Sequence, residues 1–346
     1  PLGLEVVWLS GSQRKKAKDE AKAKLADGTV KIAVGTHALF SDDVEFQNLG
    51  LVIVDEQHRF GVAQRLALKN KGRDVHQLMM SATPIPRTLA MSFFADLDVS
   101  VIDELPPGRT PIKTRLVNNV RRAEVEGFVL NICRKGQQAY WVCPLIEESE
   151  TLQLQTATET LEQLQAALPE LNIGLVHGRM KAAEKAEVMA QFAAGRLNVL
   201  VATTVIEVGV DVPNAALMVI EHAERMGLAQ LHQLRGRVGR GAAESVCVLL
   251  FAEPLSELAK ARLKVIYEHT DGFEIARQDL NIRGPGEFLG ARQSGVPMLR
   301  FANLEEDLYL LEQAREIAPM LIEQNPEIVE AHLARWLASR EGYLGV

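Results

Sequence analysis

The chain has 346 residues, of which 47% are hydrophobic, and a formal net charge of −7. That length suits about two domains and a smaller appendage, and the composition is that of a soluble globular chain rather than a disordered or membrane one. No apolar run reaches the roughly 18 to 20 residues of a spanning helix, so no membrane partner is expected.

The first segment, PLGLEVVWLSGS, has no basic stretch followed by an apolar core, so no signal peptide is read. The missing initiator Met suggests a fragment. Cys133, Cys143 and Cys247 form no CxxC pair, so buried thiols in a reducing cytoplasm are expected rather than disulfides or zinc. The acidic balance argues mildly against a nucleic-acid partner, but phosphate binding depends on where positive charge gathers. Here it gathers at Arg14-Lys15-Lys16 with Lys18, at Arg235, Arg237 and Arg240, and at Arg277, Arg283 and Arg292. The first cluster reads best as a solvated helix face.

In chain order, KIAVGTHAL, LGLVIVDEQ and HQLMMSATP each read as a buried strand ending in a polar loop. DELPPGRTPIKT, residues 103–114, holds three prolines and a glycine and reads as a linker. In RRAEVEGFVLNICRKG, Val125, Phe128, Val129 and Ile132 recur at helical spacing. The strands QAYWVCPLI, NIGLVHGRM, NVLVATTV, ALMVIEHA and SVCVLLFA follow, and KAAEKAEVMAQFAAG among them is a helix with Val188, Met189 and Phe192 on one side. Alternating strands and helices predict parallel sheets with right-handed crossovers. Chemistry is then expected in loops at the carboxyl ends of the strands. After about Pro254 the pattern is mainly helical, broken by NIRGPGEFLG. The expected division is a first lobe at 1–102, the linker, a second lobe at 115–254 and a helical region at 255–346.

Four segments carry candidate chemistry. Asp55-Glu56-Gln57-His58 follows an apolar strand. Paired carboxylates at a strand end suit phosphoryl transfer, one holding Mg²⁺ through water and the other orienting or deprotonating the attacking water. A bare Asp-Glu pair is commonly just solvated, and it is the preceding strand that points to chemistry. No HExxH pattern supports zinc there. Ser81-Ala82-Thr83-Pro84 follows another strand and, alone, reads as an ordinary turn. In VLVATTVIEVGVDVP a strand runs into Thr203, Thr204, Glu207, Gly209 and Asp211, a loop able to touch nucleotide and nucleic-acid backbone. In QLHQLRGRVGR, Arg237 and Arg240 are three apart and would share a helix face. Guanidinium groups there suit a transferring phosphoryl group, and Gly236 and Gly239 permit close backbone approach at the cost of a weaker helix.

In this order, straddling a linker, the segments resemble the motor motifs of superfamily 2 helicases: DEQH as motif II, SAT as motif III, VLVATTVIEVGVDVP as motif V, QLRGRVGR as motif VI and Gly35-Thr36-His37-Ala38-Leu39 as motif Ib. DEQHRFGVAQR, SATPIPRTLA, ELPPGRTPIKT and AERMGLAQLHQLRGRVGRG closely resemble the RecG family of bacterial DNA helicases. GFEIARQDLNIRGPGEFLGARQSG resembles the helical hairpin and loop shared with the transcription-repair coupling translocase. The resemblance spans essentially the whole chain, and Gln57-His58 with the tail RFANLEEDLYLLEQAREIAPMLI favour the RecG family over that relative.

The resemblance implies two RecA-like lobes, the first truncated, plus the helical hairpin region, with ATP in the cleft between lobes. It implies that Asp55 holds Mg²⁺ through water and that Glu56 activates water. Gln233, Arg237 and Arg240 reach the nucleotide from the second lobe, while Gly209 and Asp211 contact nucleotide and couple it to DNA. Thr36 and Thr203 fall in strand-contacting motifs, and Ser81 and Thr83 couple hydrolysis to lobe movement. Arg277, Arg283, Arg292 and Gln293 turn that movement into translocation on duplex DNA. The implied activity is ATP-dependent helicase action on branched DNA, such as stalled forks and Holliday junctions, by a cytoplasmic monomer. No GxxxxGK[ST] occurs in the chain, so the loop that cradles phosphates is lacking and the 346 residues alone are expected to be inactive as an ATPase, with apolar lobe surface exposed. The alternatives are the coupling translocase and a non-catalytic DNA- or partner-binding remnant.

Overall fold

The computed structural model describes residues 3–11, 13–56, 71–72, 75–81, 98, 100–102, 104, 109, 111–143, 150–203, 212–241, 244–283 and 308–337. The chain forms two compact units, Pro1–Ala82 with Glu316–Val346, and Thr83–Arg315.

In the first unit, β1 (Val6–Leu9) pairs in parallel with β2 (Ile32–Gly35), and β3 (Leu51–Val54) pairs in parallel with β4 (His76–Met79). Helix α1 (Lys15–Ala26) joins β1 to β2 and covers one face of that pair. Strand alternation sends Val7 and Leu9 inward, where they meet Ala21 and Leu25 of α1 with Val30 and Val44. The same alternation leaves Val6, Trp8, Ile32 and Val34 exposed on the other face. Leu51 and Ile53 of β3, each 57% exposed, and Leu78 of β4 stand out likewise. Among the described residues these side chains form an exposed apolar sheet surface.

The second unit is built on a six-stranded, all-parallel sheet in the order β5-β10-β9-β6-β8-β7. Its strands are β5 (Lys113–Asn118), β6 (Gln138–Cys143), β7 (Ile173–Val176), β8 (Val199–Thr203), β9 (Ala215–Ile220) and β10 (Val246–Phe251). The helices are α2 (Arg122–Arg134), α3 (Glu150–Ala167), α4 (Ala182–Ala193), α5 (Leu228–Arg235), α6 (Glu257–Glu268) and α7 (Gly272–Arg283). On one face, Ala139, Trp141, Val201 and Val219 meet Val125, Val129 and Ile132 of α2 and Leu164 of α3. On the other, Tyr140, Leu200, Met218 and Leu249 meet Phe192 of α4, Leu231 of α5 and Ile266 of α6. β6, β8 and β9 are buried along their whole length, which is why they read as unbroken apolar runs. Cys133, Cys143 and Cys247 are buried free thiols; burial pushes the first up to about 11 and the other two up to about 12. Helices α8 (Leu308–Gln324) and α9 (Pro326–Leu337) end the described chain.

Phe192 is fully buried with its ring centroid 4.9 Å from that of Tyr140. Phe192→Ala should destabilise the second unit by about 3–5 kcal/mol in urea denaturation, through lost transfer energy and a residual cavity. Trp8→Ser combined with Ile53→Ser should instead lower binding of an apolar fluorescent dye while leaving that unit's denaturation midpoint in place.

Candidate functional site

At the carboxyl end of β3 the chain passes from apolar residues to Asp55 and Glu56. Glu56 takes a left-handed conformation, φ 52°, and its N–H donates to Asp55 Oδ1 at 2.8 Å. A non-glycine residue in that region costs of order 1–3 kcal/mol, a strain concentrated at functional sites. The turn leaves Asp55 exposed. The Met80 N–H donates to the Val54 carbonyl at 2.8 Å, so Ser81 emerges from β4 at the same sheet end as the carboxylate pair. Thr36 leaves β2 at its carboxyl end, its N–H on the Leu9 carbonyl at 3.1 Å. Gly35 makes that approach possible, because a Cβ there would lie 2.1 Å from the Leu9 oxygen.

In the second unit Thr203 closes β8. It is buried, and its hydroxyl has no hydrogen-bond partner among the described residues. A buried hydroxyl without a partner is costly, so the position calls for a functional explanation. Gln233 lies in the last turns of α5, half-buried. The arginines that follow require a correction. Arg237 and Arg240 do not share a helix face, because α5 ends at Arg235 with Gly236 as its cap. Gly239 then turns left-handed, φ 80°. The two glycines that weaken a helix here terminate it, and both arginines lie on the turn beyond, Arg237 half-buried and Arg240 exposed.

Arg277 of α7 is exposed and forks onto Glu274, Nε and Nη2 each bonding one carboxylate oxygen at 3.0 and 2.8 Å. Those bonds, with one from Gln278, hold the Glu274 carboxyl down at about 2. Arg283 is the last residue of α7. Thr83, Gly209, Asp211, Arg292 and Gln293 lie outside the described residues.

Sequence reasoning did not single out Arg235 beyond its basic cluster. It is buried, and Nη1 donates to the carbonyls of Ile266 and His269 at 2.8 and 2.9 Å and to Thr114 Oγ1 at 3.2 Å. Nη2 meets His232 Nδ1 at 3.0 Å and the Thr270 carbonyl at 3.4 Å. One guanidinium thus ties α5 to the junction of α6 with α7 and to β5. Burial, then the Arg235 charge, push His232 down to about 4 against a smaller upward pull from Asp271. At neutral pH its Nδ1 therefore accepts from Arg235. The signal available in the sequence was the apolar spacing of Leu228, Leu231 and Leu234, which turns one side of this helix inward and carries Arg235 with it.

Family models for the DEAD/DEAH box helicase, the helicase conserved C-terminal domain and "ATP-dependent DNA helicase RecG, domain 3, C-terminal" match residues 1–92, 125–242 and 269–337. The ATP-dependent DNA helicase RecG of Acidithiobacillus ferridurans is 57% identical over 343 residues, 99% of this chain and 50% of that protein. That of Escherichia coli K12 is 57% identical over 348 residues with the same coverage. A solved structure of RecG bound to a three-way DNA junction superposes with a TM-score of 0.68 at 48% identity, covering 90% of this chain and 40% of that one. The RNA- and nucleotide-bound Mss116p structure shares the fold, with a TM-score of 0.55 at 17% identity over 77% of this chain and 55% of its own. The chain spans about half the length of the curated relatives it matches.

The His232 shift fixes a sign. Its folded pKa lies below its ordinary 6.5, so between pH 6.5 and about 4 the unfolded chain takes up a proton that the folded chain refuses. Stability should fall as pH drops through that window, by roughly 2–3 kcal/mol from this group. Urea denaturation at pH 7, 6, 5 and 4 should show a shallower acid slope in His232→Asn than in the parent.

Proposed function

Since the chain belongs to the RecG helicase family over the half of those proteins that it spans, we propose that it supplies the second part of an ATP-driven motor acting on branched DNA. The observation that carries this reading is the strained turn at Asp55-Glu56, with a left-handed glutamate whose amide is fastened to its neighbouring carboxylate. It aims two carboxylates differently, as a division of labour in phosphoryl transfer demands.

Asp55 is exposed, with one oxygen on the Glu56 amide and lone pairs left to accept from a hydrated cation. Among the described residues no cluster of three or more His, Cys, Asp or Glu could hold a metal by itself. A lone carboxylate fits Mg²⁺, which keeps several waters and takes its remaining ligands from phosphates. When bound, Mg²⁺ would neutralise charge on the β- and γ-phosphates. Glu56 accepts a proton from the attacking water. Arg237 and Arg240 stabilise the charge on the transferring phosphoryl group, and Gln233 hydrogen-bonds the nucleotide. The phosphate cradle itself comes from no segment of this chain, which has no GxxxxGK[ST].

On the DNA side, Thr36 contacts the backbone, Ser81 and Thr83 couple hydrolysis to movement, and Thr203, Gly209 and Asp211 link nucleotide to strand. Arg277, Arg283, Arg292 and Gln293 act in translocation. The similarity to a protein solved on a three-way junction and the match of residues 269–337 to a RecG domain support branched DNA as the substrate. We propose forks and Holliday junctions as its forms, and action as a cytoplasmic monomer.

In the full-length protein, Glu56→Gln and Arg240→Ala should each lower DNA-stimulated ATP hydrolysis at least about a hundredfold, as loss of a catalytic base or arginine finger does, while junction binding stays within about twofold. The isolated 346-residue chain should hydrolyse no ATP above background. Robust hydrolysis by that chain, or by either variant, contradicts the reading.

A further inference from the structure

Arg109 lies in the proline-rich stretch before β5, far in sequence from the arginine turn, yet it reaches that turn directly. Its Nη2 donates to the Gly236 carbonyl at 3.0 Å, in a partly buried bond between residues 127 positions apart. Gly236 caps α5, so this carbonyl is at the negative end of the helix dipole, where a guanidinium is favoured. A second contact lies three residues on. Gly239 has φ 80°, and a Cβ built on it would lie 3.0 Å from Cγ1 and 3.3 Å from Cδ1 of Ile112. A third closes the edge, where the Lys113 N–H donates to the Ser245 carbonyl at 3.0 Å as β5 enters the sheet beside β10. Arg237 falls between the first two contacts, and Arg240 immediately follows the second.

We propose that the segment Arg109–Lys113 positions the arginine turn, with Arg109 on Gly236 and Ile112 against Gly239 setting the backbone from which Arg237 and Arg240 project. This rests on the phosphoryl-transfer reading of those two arginines and adds Arg109 as a positioning residue for them. Arg109 touches no reacting atom. It acts by adding a second anchor to a turn whose start already hangs from α5, the Arg237 N–H on the Leu234 carbonyl at 3.0 Å and Val238 buried in the core, and a transition state depends on such placement far more than ground-state nucleotide binding does. The stretch that leads into the second sheet thereby bears on the phosphate-facing groups.

The test has two arms. In the 346-residue chain, Arg109→Ala should raise amide hydrogen exchange at Arg237–Arg240 about tenfold, the scale of one lost charge-assisted hydrogen bond, with the β6 amides unchanged. In the full-length protein the same substitution should lower kcat for DNA-stimulated ATP hydrolysis about tenfold with KM for ATP within about twofold. Arg109→Lys, which keeps a charged donor, should recover most of the loss. Should Arg109→Ala fail to fold, Arg109→Gln, whose shorter amide cannot reach the carbonyl, gives the same comparison. Unchanged exchange in the turn, a rise in KM without loss of kcat, or no rescue by lysine overturns the proposal. Absence of ATPase activity in the unsubstituted full-length protein would instead sink the phosphoryl-transfer reading, while the exchange arm would still decide whether Arg109 holds the turn.

Discussion

The constraint behind the rest is burial of parallel strands on both faces. Gln138–Cys143, Val199–Thr203 and Ala215–Ile220 are buried at every position, so these strands can present polar chemistry only where they stop. Because the strands are parallel, they stop on the same edge. Thr203, His177 and Glu221 come off the second sheet at that edge, as Asp55, Glu56, Ser81 and Thr36 come off the strands of the first unit. The apolar runs thus also set where the polar residues can act, and single residues at strand ends carry the chemical differences between units.

One pair of turns shows how far those differences go. β3 ends in Asp55-Glu56 and β9 ends in Glu221-His222, and in each the second residue is a left-handed non-glycine, at φ 52° and 47°. The backbone solution is shared, but the carboxylates have different fates. Glu221 is buried and pairs with Arg122, whose guanidinium also bonds Glu126 at 3.0 Å and stacks 5.0 Å above the Trp141 ring. A carboxylate neutralised in this way is structural, because removing either partner would strand a buried charge. Asp55 is exposed and keeps acceptor capacity. Among the described residues no cation of the fold pairs with Asp55, as Arg122 does with Glu221.

Much of this was legible in the sequence. The eight apolar runs singled out as strands correspond to β2, β3, β4, β6, β7, β8, β9 and β10; β6, β8 and β9 are buried on both faces, whereas β2, β3 and β4, read as buried, leave one face exposed. The two strands passed over were less marked. β5 reads Lys113-Thr114-Arg115-Leu116-Val117-Asn118, an edge strand whose outward lysine and arginine mask its period of two beside a proline-rich stretch. β1 is four residues within a segment that invited attention for what it lacked as a leader. The carboxylate pair was visible because a strand announces it. Its left-handed turn was not, since φ is not a property of composition. Arg235 and Arg109 escaped for a related reason: their partners are backbone carbonyls, which every residue has and no motif records.

The basic run around the end of α5 shows why residue type alone misassigns such positions. Arg235, Arg237 and Arg240 look alike in sequence, and a helix carried through them would make them one positively charged surface. Ending the helix at Gly236 changes that. Arg235 is the last residue held by helical geometry, and it spends its donors inward on four oxygens and one ring nitrogen. Beyond it the left-handed Gly239 brings the backbone against Ile112, where a Cβ would crowd Cγ1 at 3.0 Å and the positive φ would strain any side chain. The helix end at Gly236 therefore separates an arginine that builds the fold from two on the turn beyond, and it is the left-handed Gly239 that carries the chain through that turn.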